Sequence, residues 1–382
     1  MPYFSQIRLV RVFGIQIKLD MSWFIIFALL AWTLATMVFP SAFPPDTFPD
    51  LTAADFWLMG IVSALLLFVS VLIHELCHCY VARRHGMPIR GITLFIFGGV
   101  SELVEEPPNP RAEFMMAGAG PLASIVICIV VGILARLVHS AHASPVVYGI
   151  LWYLSMINGL LAVFNLVPGF PLDGGRLLRA FLWMATGNLR DATRIASTVG
   201  SVFGIIFMGL GFLDIFFGAF ISGFWLVLIG FFLRNAALGS YQQLLLRRAL
   251  QGVTVGQIMT ANAVTVPTDL PVSALVHDYF MRHRFHSFPV LDGGRLVGLV
   301  TFHEVRRLPR ENWDTVTVRQ IMDTHILALA LNPSDSAMSA WVRMASRGLG
   351  RVPVIENGEI VGILSQHDLV RFLSIMSDLQ KD

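Results

Sequence analysis

Six apolar stretches of membrane length, at about 21–39, 55–82, 112–138, 147–166, 197–216 and 219–236, fix the fold class of the first part of this chain. Hydrocarbon offers no partner to a free peptide group, so only helices or closed barrels cross it. A run of about 20 apolar residues is the length of a spanning helix. Only 14% of the 382 residues are charged, against roughly 25% in soluble domains. The expected architecture is a polytopic α-helical membrane domain of six transmembrane helices over 1–236. A linker over 237–254, with Arg247 and Arg248, leads to an α/β soluble domain over 255–380, long enough to bury its own core. A net charge of +2 gives no reason to expect a nucleic-acid partner.

Two segments beside the helices read as β structure. Residues 6–20 alternate as a strand-like segment at the membrane surface, and 89–99 is β-branched, aromatic and closed by two glycines. The second is expected to be a hairpin or re-entrant strand, which lipid tolerates only where it packs on protein or lines a polar cavity. The first apolar run lies behind a charged stretch and exceeds a signal h-region, so it is expected to be a membrane helix ending before Pro40 rather than a cleavable signal. Short loops with Arg8, Arg11, Lys18, Arg83, Arg84, Arg90, Arg111, Arg176, Arg179, Arg190 and Arg194 alternate with 40–54, 139–146 and 217–220, which hold no Lys or Arg. Arg136 is the exception. The positive-inside rule then predicts cytoplasmic termini and a cytoplasmic soluble domain.

The second apolar stretch ends in His74-Glu75-Leu76-Cys77-His78. On a helix, His74 and His78 lie one turn apart on one face and could share a zinc ion, with Glu75 placed to act on the water it activates. Alternatively, they are satisfied polar groups between packed helices. The cost of ionisable side chains inside a bilayer favours the metal site. A catalytic zinc commonly takes three protein ligands. The best third candidate is Asp173, in Asn165-Leu166-Val167-Pro168-Gly169-Phe170-Pro171-Leu172-Asp173-Gly174-Gly175. Pro168 and Pro171 oppose a regular helix and Gly174 and Gly175 permit a sharp turn. Asp173 is therefore expected to project inward from broken backbone; a solvated turn is the alternative. Cys77, Cys79 and Cys128 give no disulfide framework and read as small packing residues.

Together with Phe97-Gly98-Gly99 and Ala119-Gly120-Pro121, these segments make residues 5–235 resemble the site-2 protease family of intramembrane zinc metalloproteases. The resemblance implies Zn²⁺ on His74, His78 and Asp173, with Glu75 as general base. It implies that Asn165 holds substrate or stabilises the oxyanion, and that the strands before the first helix and around 91–100 border the active site, where an unwound substrate adds as a strand. The implied substrates are single-pass, membrane-anchored regulators, such as anti-sigma or pro-sigma factors, in a prokaryotic cell membrane. One departure is Ser124, where many relatives have Asn.

The soluble part contains an internal repeat. Gln257-Ile258-Met259-Thr260 recurs as Gln320-Ile321-Met322-Asp323, and Phe288-Pro289-Val290-Leu291-Asp292-Gly293-Gly294 as Val352-Pro353-Val354-Ile355-Glu356-Asn357-Gly358. Each copy reads as strand, tight turn, strand, with flanking helices. This resembles a tandem pair of CBS domains. The resemblance implies an adenine nucleotide (ATP or AMP) at Ser365 and Asp368 of Ser365-Gln366-His367-Asp368. The first copy's counterpart, Thr301-Phe302-His303-Glu304, offers Thr301 and Glu304 and departs from the pattern, so a weaker or vacant site is expected there. Alternatively, the pair serves only to form a homodimer. His283, His286 and His325 read as surface or packing residues. A CBS-gated transporter or channel explains the layout but leaves His74, Glu75, His78 and Asp173 idle. A non-catalytic membrane scaffold leaves Glu75 unexplained.

Overall fold

The computed structural model describes residues 6–44, 46–96, 98–103, 106–346 and 348–379. Phe97 lies outside the described residues. The chain divides into two compact units, Met1–Gln242 and Gln243–Asp382.

The first unit opens with a hairpin, β1 (Gln6–Val12) and β2 (Ile15–Asp20). The sequence pattern suggested one strand-like segment; instead Phe13 and Gly14, both at positive φ, turn the chain back. The turn also resets the alternation, burying Ile15, Ile17 and Leu19. Next come α1 (Ser22–Ala42) and α2 (Ala53–Arg84). α1 runs through Pro40 rather than stopping before it: a π-helical turn over Leu34–Val38 precedes the proline, and such a turn re-phases the backbone where an N–H is missing. α2 starts at a capping box, with Thr52 and Asp55 satisfying each other's backbone N–H.

A second hairpin, β3 (Ile89–Phe95) and β4 (Gly98–Leu103), joins the first in a four-stranded sheet of order β1-β2-β3-β4, with β2 and β3 parallel. Ile15, Leu19, Ile92 and Leu94 pack with Cys79 of α2. The sheet is thereby seated on the helix end that bears the two histidines, with β4 as its edge. The chain continues as α3 (Pro110–Ser140), α4 (Pro145–Asn165), α5 (Asp173–Thr186), α6 (Leu189–Phe216) and α7 (Phe220–Ala249). Six of these helices, α1–α4, α6 and α7, are long and apolar enough to cross a membrane. α5 replaces the turn expected from Gly174 and Gly175. Both glycines are helical, and their value is closeness: a Cβ on Gly175 would strike the backbone of Gly169 and Phe170. α7 continues as helix to Ala249, through much of the stretch read as linker.

The second unit holds the two repeats. β5 (Ser287–Asp292) and β6 (Arg295–Thr301) form one hairpin, followed by α8 (Phe302–Arg307). β7 (Arg351–Glu356) and β8 (Glu359–Ser365) form the other, followed by α9 (Gln366–Leu379). The turns, Gly293-Gly294 and Asn357-Gly358, all carry positive φ, as two-residue hairpin turns require. Separate cores centre on Phe288, Val290 and Val300, and on Val352, Val354 and Leu364.

Candidate metal centre and active site

One turn of α2 brings the buried His74 and His78 onto the same face, and the start of α5 brings Asp173 to them. His74 Nε2 lies 3.1 Å from His78 Nε2 and 3.1 Å from Asp173 Oδ2; His78 Nε2 lies 3.2 Å from the same oxygen. Four ligands bonded at about 2.0 Å in a tetrahedron stand roughly 3.3 Å apart. The three atoms thus form one face of a zinc-sized tetrahedron.

The far sides of the rings settle which nitrogens face this point. His78 Nδ1 is 2.7 Å from the carbonyl oxygen of Met116. A carbonyl only accepts, so Nδ1–H donates, and in the neutral ring Nε2 keeps its lone pair. His74 Nδ1 is 2.9 Å from Ser124 Oγ, which can accept in the same way. Two imidazole lone pairs and a carboxylate oxygen then face each other, an arrangement that repels unless a cation lies among them. This donor set fits zinc. As the first residue of α5, Asp173 meets the favourable end of that helix's dipole.

A single stripe of α3 supports the centre. Glu113, Met116, Gly120 and Ser124 follow at helical spacing and are all buried. Met116 and Ser124 hold the two rings. A Cβ on Gly120 would collide with Nε2 of both histidines, so only glycine leaves the metal position open. Sequence reasoning noted Gly120 as a family feature and Ser124 as a departure; the spacing of small and polar residues along α3 was the available signal for their joint role.

Glu75, His78, Gly99, Pro171, Asp173 and Arg176 line a cavity of about 140 Å³. A second, of about 400 Å³, meets it at Glu75, Gly99 and Asp173 and adds His74, Asn165 and, from α7, Phe232 and Leu233. The structure therefore brings Asn165 to the same space as Glu75 and the three metal-type ligands. Gly99 of β4 packs directly against the Glu75 side chain. Cys79 lines the smaller cavity and is buried, as a packing residue would be.

In the second unit, Thr301 and Glu304 form the capping box of α8: Glu304 accepts from both the backbone N–H and the hydroxyl of Thr301. Ser365 and Asp368 do the same for α9, with Ser365 Oγ 2.5 Å and Ser365 N 2.8 Å from Asp368 Oδ2. Thr260 Oγ1 donates to the other Asp368 oxygen at 3.0 Å. A cavity of about 520 Å³ opens at Thr301, lined also by His286, His303, Arg306, Asp323 and Arg351. His286, read from sequence as surface or packing, belongs to this cavity. Glu304, Ser365 and Asp368 are not in its lining.

Comparison with known proteins gives the family of the chain. The model of peptidase family M50 matches residues 62–142 and 131–207, and that of the CBS domain matches 255–311 and 318–375. The protein named "Putative zinc metalloprotease Rip3" of Mycobacterium tuberculosis is 34% identical over 97% of this chain and 93% of its own length. Zinc metalloprotease MJ0392 of Methanocaldococcus jannaschii is 30% identical over 97% of this chain and 96% of its own. The solved site-2 protease from Methanocaldococcus jannaschii is 29% identical, with a TM-score of 0.41 over 62% of this chain and 95% of that one. With two full-length relatives at this level and both family models matched, the chain belongs to peptidase family M50, as a multi-pass site-2-type zinc metalloprotease with tandem CBS domains.

Proposed function

We propose that this protease cuts the transmembrane segments of membrane-anchored regulatory proteins, with His74, His78 and Asp173 holding the zinc and Glu75 as general base. The observation that carries this reading is the triangle of Nε2, Nε2 and Oδ2 atoms, 3.1–3.2 Å on a side, with Glu75 lining the adjoining cavities. Zinc bound there supplies acidified water and polarisation of the scissile carbonyl. Glu75 takes the proton from the attacking water and returns it to the leaving amine. Asn165, in the larger cavity, donates its amide to the carbonyl oxygen as charge develops on it. β4 is an edge strand whose Gly98 and Gly99 line that cavity, so an unwound substrate segment pairs with it and presents its peptide bond to Glu75. The arginine-bearing loops favour a cytoplasmic face for this end of α2 and for both termini.

The test is zinc content and cleavage of a reconstituted membrane substrate by the detergent-purified full chain. Wild type is expected to bind about one zinc by the ligand count of a catalytic site. His74→Ala, His78→Ala and Asp173→Ala should each lose it. Glu75→Gln should keep zinc and lose cleavage by about 10²–10⁴-fold or more. A zinc-loaded Glu75→Gln that cleaves normally would sink the assignment of the base. Full zinc in Asp173→Ala would move the third ligand elsewhere.

In the CBS unit the reading is an adenine nucleotide in the cavity at Thr301. Arg306 and Arg351 suit its phosphates and Asp323 its ribose hydroxyls. Its binding modulates proteolysis. ATP or AMP should raise the thermal midpoint of wild type and not of Arg306→Ala/Arg351→Ala; no shift in wild type overturns the nucleotide reading.

A further inference from the structure

We infer that Glu113 and Arg179 are positioning residues for the metal centre: their buried ion pair sets Asp173 against His74 and His78. This rests on the zinc site proposed above. Arg179 lies on α5, the helix that Asp173 begins, and Glu113 lies on α3, one turn before Met116. Arg179 Nε donates to Glu113 Oε1 at 2.6 Å and a terminal guanidinium nitrogen contacts the same oxygen. The two side chains are 8% and 0% exposed. Arg179 also reaches Glu106 at 3.4 Å, and its guanidinium sits 5.2 Å from the ring centre of Phe170. Phe170 belongs to the loop that leads into Asp173. Arg179 therefore grips the chain on both sides of Asp173, before it through Phe170 and after it through its own helix, and fastens both to α3.

The same helix α3 fastens His78 through Met116 O and His74 through Ser124 Oγ. All three members of the triangle are thus referred to one rigid element. Stability alone gives little reason for such a pair, because its desolvation cost means that well-packed apolar side chains often serve as well. What apolar contacts lack is direction. Two nitrogens of one guanidinium converging on a single Glu113 oxygen, with Glu106 beside it, restrict where Arg179 can sit, and a metal centre needs its ligands held to fractions of an ångström.

The experiment compares wild type with Glu113→Met/Arg179→Met in the full chain. The double change removes both charges, so that neither is left buried alone. The readouts are zinc Kd by chelator competition, the absorption spectrum of the Co²⁺-loaded protein, and the thermal midpoint of the metal-free protein. The expected result is a metal-free midpoint close to wild type, zinc affinity about 10–100-fold weaker and a changed Co²⁺ ligand-field spectrum. Wild-type Kd and spectrum would overturn the inference. So would a loss of affinity matched by an equal loss of metal-free stability with an unchanged Co²⁺ spectrum, since that marks a purely structural pair. If the double variant fails to fold, Arg179→Lys decides: it keeps the charge and loses the fork, and an unchanged Kd and spectrum there overturns the inference. Wild type that binds no zinc overturns the metal site itself, a separate and recognisable failure.

Discussion

The two halves of the molecule treat their functional-looking residues in opposite ways. In the membrane half, His74 and His78 are buried and Asp173 is partly buried; the far nitrogen of each ring has a partner, and the inward atoms of all three face one another. Among the described residues, those inward atoms have no partner but one another. In the CBS half, the carboxylates of Glu304 and Asp368 are absorbed by the first turns of their own helices. A carboxylate in a capping box is already satisfied, and its position needs no ligand to explain it. Polar groups aimed at each other without a proton to share therefore point to a ligand far more firmly than polar groups that fit a recurring motif. That measure favours the proposed nucleotide site at the cavity with Arg306 and Arg351, whose guanidinium groups no capping box explains, over one argued from the Ser365–Asp368 match alone.

This contrast can be broken at several points. The largest effect should come from Gly120→Ala, whose new Cβ collides with both Nε2 atoms: zinc binding and cleavage should both be lost while the protein still inserts. A zinc-replete, active Gly120→Ala would mean that the centre lies elsewhere. Ser124→Ala removes only the partner of His74 Nδ1 and should weaken zinc by about 10–100-fold. Ser124→Asn restores an acceptor and should recover most of that; equal affinity in all three proteins would show that Ser124 does not orient the ring. The smallest effects belong to the caps. Thr301→Val and Ser365→Ala should each cost about 1 kcal/mol in denaturant unfolding of the CBS unit. Only Thr301→Val should also remove a nucleotide-induced rise in midpoint. Should Ser365→Ala remove it instead, the second copy holds the nucleotide and the contrast drawn above is wrong.

Much of the candidate metal centre was legible because its parts obey local rules. An i, i+4 histidine pair on a membrane helix needs no tertiary knowledge, and the return of α4 to the same end brought Asp173 within reach. The membrane helices and both CBS hairpins followed from apolar length and from Gly-Gly and Asn-Gly turns. What was not legible depended on partners distant in sequence. Gly174 and Gly175 look like turn residues, yet they open α5 because neighbouring backbone leaves no room for a Cβ. Pro40 looks like a terminator, yet a π-helical turn carries α1 past it. The pairing of Glu113 with Arg179 leaves no trace in either residue's local sequence. Nor does the choice of a main-chain carbonyl at Met116 as the support of His78.

The three mutually repelling ligand atoms have a consequence for the life of the chain before catalysis. Three separate segments, α2, α3 and the start of α5, meet where like partial charges are pressed together, so bringing them home is uphill until a cation arrives. With zinc held there as proposed, metal loading would be the last fastener of the bundle. On that reading, a copy starved of zinc would carry its weakest joint at its centre, and the chain's own stability, not only its activity, would follow the zinc supply.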